Sequence, residues 1–145
     1  MSKSNTLETG LLNLIFANQD FAGVGDAGGL RGSAAAGSLY LALHSADPGE
    51  TGTQSTSEVT YTSYARVAVT RGAAWTVAGN QVTNANAVTF PTGTGGSGTA
   101  THFSVGTASS GAGTLLYKGA LASALTLGSG IAPAFAAGQI VISED

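Results

Sequence analysis

The sequence predicts a mostly β protein, a jelly-roll-like antiparallel β-sandwich with a short N-terminal helical arm. About eight short apolar segments recur at regular spacing, and Gly-rich turns separate them. Sandwiches and jelly rolls have this pattern. Glycine accounts for 22 of the 145 residues, well above its usual share of about 7%. The length predicts one β-sandwich domain over 1–145, with a helical and Gly-rich arm at 1–37 and the sandwich core at 38–145.

The first predicted element is the helix of the arm. Asn5 can act as its N-cap, and Glu8 lies three residues later, as in a capping box. Apolar residues follow at helical spacing and form one stripe, made of Leu7, Leu11, Leu14 and Ile15. A helix this short is not stable alone in water. We therefore expect it to dock on its own sheet or on a neighbouring molecule, before a flexible Gly-rich loop at 22–38.

Two strand patterns follow the arm. Leu39–Leu43 places three leucines on one face, and the turn sequence Asp47-Pro48-Gly49 comes after it. Glu58–Thr70 has the clearest alternation of the chain, in which Tyr61 falls on the core face with the valines. Tyr64 and Arg66 share the opposite face, where the arginine could reach a partner or close a ladder pair.

The second half of the chain is predicted to be strands and turns. Ala74–Val77 and Gln81–Thr83 form a hairpin through the two-residue turn Gly79-Asn80. Further strands are predicted at 87–90, 101–105, 115–122 and 138–142. The third of these is either two strands or one strand bent at Gly119.

The low charge of the sequence bears on its partners. Only 9% of the residues are charged, against about 25% in an average soluble domain. Such a surface suits a protein that is covered in an assembly, although a β-rich domain with many tight turns would have a similar composition. The basic residues are scattered and the net charge is -3, so we expect no nucleic-acid partner. We expect no signal peptide and no membrane partner either, because no apolar run is long enough.

The residues that could carry chemistry do not form a recognisable site. Cysteine is absent, which excludes a disulfide, a thiolate zinc site and a thiol nucleophile within the chain. His44, His102 and Asp47 could in principle bind a metal, but their spacing matches no metal motif. Hydrogen-bonded residues at strand ends are the simpler interpretation of both histidines. The sequence thus predicts no metal and no cofactor.

Catalytic motifs are equally weak. Gly23, Gly25 and Gly28 partly match a dinucleotide fingerprint, but they follow a helix instead of a strand. Asp47 and Glu50 lie around a turn, whereas glycoside hydrolysis needs two acids across a groove. There is no Gly-x-Ser-x-Gly elbow between a strand and a helix. We therefore expect no catalytic residue and no enzymatic activity.

The central third of the chain carries a resemblance. LYLALHSADPGETG runs from Leu39 to Gly52, and EVTYTSYARV runs from Glu58 to Val67. Together they resemble a segment of tailed-phage virion proteins that are often labelled tail fibre proteins. Some of these are similar to capsid decoration, or cement, proteins with a jelly-roll fold. The resemblance implies a structural protein of a phage virion, assembled in the host cytoplasm.

Within that family we expect capsid decoration. The chain lacks the long triple-stranded β or coiled-coil repeats of a fibre shaft. The expected function is to bind the outer surface of the major capsid protein shell and to bridge neighbouring capsomers. Its partners would be the major capsid protein and copies of itself, as a homodimer or homotrimer. The alternative is a tail fibre or baseplate structural protein involved in host attachment.

The expected protein interface combines the arm with one strand face. Apolar side chains of the arm would dock against the capsid protein or a sister copy, and the polar pair on the strand would extend the contact. These residues are Leu11, Leu14, Ile15, Phe16, Phe21, Tyr64 and Arg66.

Overall fold

The computed structural model describes residues 2–145, which contain one α-helix, one π-helical segment and nine β-strands. Strand residues make up 38% and helical residues 9%. This confirms the mostly β class, the antiparallel pairing and the short N-terminal helix. The helical elements are α1 (Asn5–Leu12) and the π-helical segment (Asn13–Ala17). The strands are β1 (Ser38–His44), β2 (Val67–Thr70), β3 (Trp75–Ala78), β4 (Gln81–Asn84), β5 (Val88–Thr89), β6 (Ser97–Gly106), β7 (Leu115–Gly128), β8 (Ala134–Phe135) and β9 (Val141–Ser143).

The chain divides into two compact units. The first unit contains residues 2–38, Thr70–Ala87 and Phe135–Asp145. The second unit contains Leu39–Val69 and Val88–Ala134. The jelly-roll connection and the single sandwich domain stay predictions. Within residues 2–145, no helix is long and apolar enough to cross a membrane.

The first unit is built on the predicted hairpin. β3 pairs with β4 from Trp75↔Asn84 to Ala78↔Gln81, which leaves Gly79 and Asn80 as the two-residue turn. Gly79 has a φ of 62°, the left-handed conformation that such a turn requires. β9 adds to the other edge of β4. The hairpin prediction is confirmed, whereas the last strand covers 141–143 and not 138–142.

The helix begins one residue earlier than predicted and buries another face. Its N-cap is Ser4, whose Oγ accepts the N–H of Leu7 at 3.4 Å, so Asn5 is already helical. The buried face consists of Glu8, Leu12 and Phe16. The Phe16 ring lies 4.8 Å from the Trp75 ring at 64°, an edge-to-face contact. The arm therefore docks on its own unit, and the predicted leucine stripe flanks the contact.

The second unit is built on a sheet with the strand order β2-β1-β6-β7. β1 pairs antiparallel with β6, for example Leu41↔Val105, and both of these side chains are fully buried. β6 begins at Ser97, four residues earlier than predicted. β7 is one strand, and its pairing with β6 is irregular at two places. One lies at 121–124, because Ala100 pairs with Leu125 and His102 pairs with Ala120, and the other lies at Leu116. A β-bulge of this kind turns an edge strand away from simple pairing.

The predicted strand Glu58–Thr70 is wrong over most of its length. Only Val67–Thr70 forms a strand, and the preceding segment is irregular apart from isolated bridges of Glu58 with His44 and of Thr62 with Gly95. Ser63 has a φ of 79°, which no strand residue adopts. Val59 and Tyr61 are buried as the alternation predicts. Beyond Tyr61 the predicted faces are wrong, because Ser63 and Ala65 are exposed and Arg66 of the opposite face is buried. Side-chain hydrogen bonds determine the backbone path there.

Candidate binding surfaces

Arg66 organises a network in the second unit. Its Nε and Nη2 donate to the two carboxylate oxygens of Glu58 at 2.7 and 2.8 Å, a bidentate pair. Nη1 donates to the carbonyl of Ala108 at 2.9 Å, and Nη2 also donates to that of Gly111 at 2.6 Å. The hydrogen bonds that Arg66 donates to Glu58 raise the pKa of Arg66 further above its usual value. The guanidinium thus fastens the loop at 107–114 to the segment at 58–66.

Tyr64 joins the same network. Its hydroxyl donates to Glu58 Oε1 at 2.9 Å and accepts the N–H of Leu43 at 3.1 Å. Burial raises the pKa of Tyr64 well above its usual value. The ring lies nearly parallel to that of Phe90, with centroids 6.2 Å apart. The structure therefore brings the predicted interface residues Tyr64 and Arg66 together, and both hold partners inside their own unit.

Gln54 fixes the second loop, and sequence reasoning missed it. Its side chain is fully buried, with Nε2 donating to the Tyr40 carbonyl at 3.0 Å and Oε1 accepting the Ala108 N–H at 3.0 Å. A Cβ at Gly106 would lie 2.1 Å from this amide, so only glycine fits there. Nothing in a polar loop sequence distinguishes a glutamine whose partners lie 14 and 54 residues away. An open groove of about 610 Å³ lies beside the contacts of Gln54. Its lining residues are Glu50, Gly52, Thr53, Thr107, Ala112, Gly113, Thr114 and Leu115.

The three residues weighed as metal ligands hold separate partners. The Nδ1 of His44 donates to the Thr56 carbonyl, and its Nε2 accepts from the Ser104 hydroxyl, both at 2.8 Å. Burial lowers the pKa of His44. His102 hydrogen-bonds Thr101. Asp47 accepts the N–H of Gly49 at 2.8 Å and forms an ion pair with Lys118 at 3.0 Å. The hydrogen bond from Gly49 and, to a smaller extent, the contact with Lys118 lower the pKa of Asp47. No group of three or more His, Cys, Asp or Glu within 2–145 could hold a metal ion.

Arg71 holds the arm in the first unit, a role that no sequence pattern predicts. Its Nε donates to the carbonyl of Ile15 at 2.6 Å, and its Nη2 donates to that of Leu14. The N–H of Gly72 donates to the carbonyl of Phe16 at 2.8 Å. The last carbonyls of a helix have no partner within the helix. Arg71 and Gly72 provide those partners, so the arm is anchored by hydrogen bonds as well as by apolar packing.

The arm residues of the predicted interface differ in exposure. Phe16 is fully buried against its own unit. The others are half-buried and keep part of their apolar surface on the outside. These are Leu11, Leu14, Ile15 and Phe21. Leu7 is 36% exposed beside them. The interface role of all seven predicted residues stays a prediction.

A second groove, which we call the arm groove, lies along the polar side of α1. Its volume is about 490 Å³, and its lining residues are Asn5, Thr6, Thr9, Gly10, Asn13, Gln19, Asp20 and Phe21. The Phe21 ring covers Gly10, where a Cβ would lie 2.5 Å from a ring carbon.

Comparison with known proteins shows the family of the chain. The chain matches the family described as podophage GP4 fiber I protein gp80 over residues 2–143. The chain belongs to this family. It is accordingly a structural protein of a phage virion, related to tail fibres. A comparison with curated proteins found no match.

The family description bears on the expected location within the virion. It names a fibre protein, which agrees better with the tail fibre alternative than with capsid decoration. Membership of the gp80 family thus supports the virion and phage parts of the sequence prediction. Binding to the capsid surface and bridging of capsomers have no support in it.

Proposed function

We propose that this gp80-family protein is a non-enzymatic structural subunit of a podophage tail fibre and takes part in host attachment. The match to the fibre family over residues 2–143 carries the proposal. A fibre subunit presents a fixed surface to its partners. We therefore expect its strongest hydrogen bonds and ion pairs to lie within the chain, where they hold that surface in place.

The polar networks support that function. Arg66 directs its guanidinium to Glu58 and to two loop carbonyls, and its side chain is only 2% exposed. Arg71 directs its guanidinium to carbonyls of the arm. Buried, hydrogen-bonded networks of this kind make loops rigid. The loops at 45–57 and 107–114 therefore form a fixed surface on the second unit.

Contact with other fibre subunits would use apolar surface that the chain leaves exposed. Leu7 on the arm is 36% exposed, and the half-buried leucines of the stripe continue from it. Leu116 and Ile131 are exposed to a similar degree on the second unit. The low overall charge lowers the cost of covering these surfaces. We propose copies of the same chain as the first partners, because most protein oligomers are symmetric assemblies of identical chains.

Fab fragments raised against the purified chain test the proposal. Electron microscopy of Fab-labelled virions should place the label on the tail fibres. The same Fab should lower adsorption of virions to host cells, while a Fab against a capsid protein serves as the control. Label distributed over the capsid lattice, with adsorption unchanged, would overturn the fibre assignment in favour of capsid decoration.

A further inference from the structure

The arm groove is a shallow, open groove on the surface, and its lining residues carry hydrogen-bonding groups. Its volume is about 490 Å³. All lining residues belong to the first unit and lie between residues 5 and 21. The chemistry of these residues indicates which ligand they would recognise.

Amides and hydroxyls dominate the lining. Asn5, Asn13 and Gln19 present side-chain amides that make no hydrogen bond to any other residue of the described chain, 2–145. Each amide offers two N–H donors and a carbonyl acceptor. Thr6 adds a hydroxyl to the same groove, whereas the Thr9 hydroxyl already donates to the carbonyl of Gly79 at 2.8 Å and can only accept. Such a set can serve a ligand whose groups both donate and accept, as alcohol groups do.

Phe21 adds a rigid apolar platform. Its backbone N–H and carbonyl both pair with Leu30, at 2.8 and 3.0 Å. Its ring lies against Gly10, where a Cβ would meet ring carbons at 2.5 to 2.6 Å. The backbone of Phe21 is thus held by Leu30 and its ring rests on Gly10, yet the residue remains half-exposed. A ring that is fixed in advance loses little conformational entropy when a ligand stacks on it.

The charge of the groove is balanced. Asp20 is the titratable residue among the lining residues. Its Oδ2 pairs with Arg31 Nη1 at 3.2 Å, and its Oδ1 accepts the N–H of Gly32 at 2.8 Å. A charged ligand would therefore find no unpaired opposite charge among these side chains. An uncharged ligand with many hydroxyl groups fits the lining better.

We propose that the arm groove binds a neutral saccharide. The C–H face of one sugar ring lies on Phe21, because the face of an aromatic ring is electron-rich and attracts C–H groups. The sugar hydroxyls exchange hydrogen bonds with the amides of Asn13 and Gln19. The inference deepens the proposed role in host attachment, and it rests on that role for the source of the saccharide, the host surface.

The purified full chain on a glycan array, followed by calorimetry with the bound neutral oligosaccharides, tests this proposal. The natural chain should bind at least one neutral glycan. Phe21→Leu keeps an apolar side chain over Gly10 but removes the ring, and it should weaken binding about tenfold. Gln19→Ala should also weaken binding. Gln81→Ala is the matched control, because Gln81 is an exposed amide on β4 outside the groove.

Far-UV circular dichroism and a thermal melt of each variant exclude unfolding as the cause of any loss. Binding that is confined to acidic glycans, or that is equal in the natural chain, Phe21→Leu and Gln19→Ala, would overturn the proposal, as would an array without any bound glycan. The fibre assignment fails separately. Label on the capsid with glycan binding intact refutes the fibre but not the groove, and label on the fibre without glycan binding refutes the groove alone.

Discussion

Replacing Arg66 by methionine tests whether the Arg66 network holds the loops of the second unit. Methionine keeps most of the side-chain volume but leaves the Glu58 carboxylate without its bidentate partner. The carbonyls of Ala108 and Gly111 also lose their donor. Breaking one partner of a buried pair costs about 3–5 kcal/mol. Because the Glu58 side chain is 16% exposed and can regain some hydration, we expect about 3 kcal/mol.

Urea unfolding followed by tyrosine and tryptophan fluorescence measures this cost. Arg66→Lys is the informative companion, since lysine keeps the charge but lacks the planar fork for the bidentate pair. It should recover only part of the loss. In Glu58→Gln/Arg66→Met the buried charge is gone, so the double variant should be more stable than the sum of the single losses predicts. A loss below about 0.5 kcal/mol for Arg66→Met, typical of surface positions, would refute the reasoning.

Three further predictions concern other sites. Burial lowers the pKa of His44, so the unfolded state binds a proton more readily than the folded state. The free energy of unfolding should therefore fall as the pH drops below about 6.5. In thermal melts, the stability of His44→Gln should depend less on pH over that range. Arg71→Met should expose amides of the helical segment to hydrogen exchange while the amides of β6 stay protected, and uniform exchange would contradict an anchoring role. Phe16→Ala should cost about 3–5 kcal/mol in urea unfolding, because its ring is fully buried against Trp75.

Turns, strands and helices that are determined by residues near one another in the chain were predictable from the sequence. The turn Gly79-Asn80 requires a left-handed residue, and the glycine that provides it stands at that position. The strand at Leu39–Leu43 follows from its leucine alternation and extends by only one residue at each end, to Ser38 and His44. The helix was recognised from its apolar period. Its N-cap was misplaced by one residue because Ser4 and Asn5 are both good capping residues.

Elements whose cause is distant in sequence were not predictable. Tyr64 and Arg66 both donate hydrogen bonds to Glu58, and this network bends the chain where alternation alone predicts a strand. Arg71 reaches carbonyls 56 and 57 residues earlier in the chain. The groove residues carry no motif either, because ordinary asparagines and glutamines become a candidate site only when the helix and the following loop bring them beside Phe21.

A subnanometre reconstruction of the intact virion, computed without imposed symmetry, would locate the chain in the particle. We expect density for this β-rich chain in the tail fibres, in several symmetry-related copies, with the apolar stripe of the arm against a neighbouring subunit. Density for the chain on the capsid lattice, and none in the tail, would contradict it.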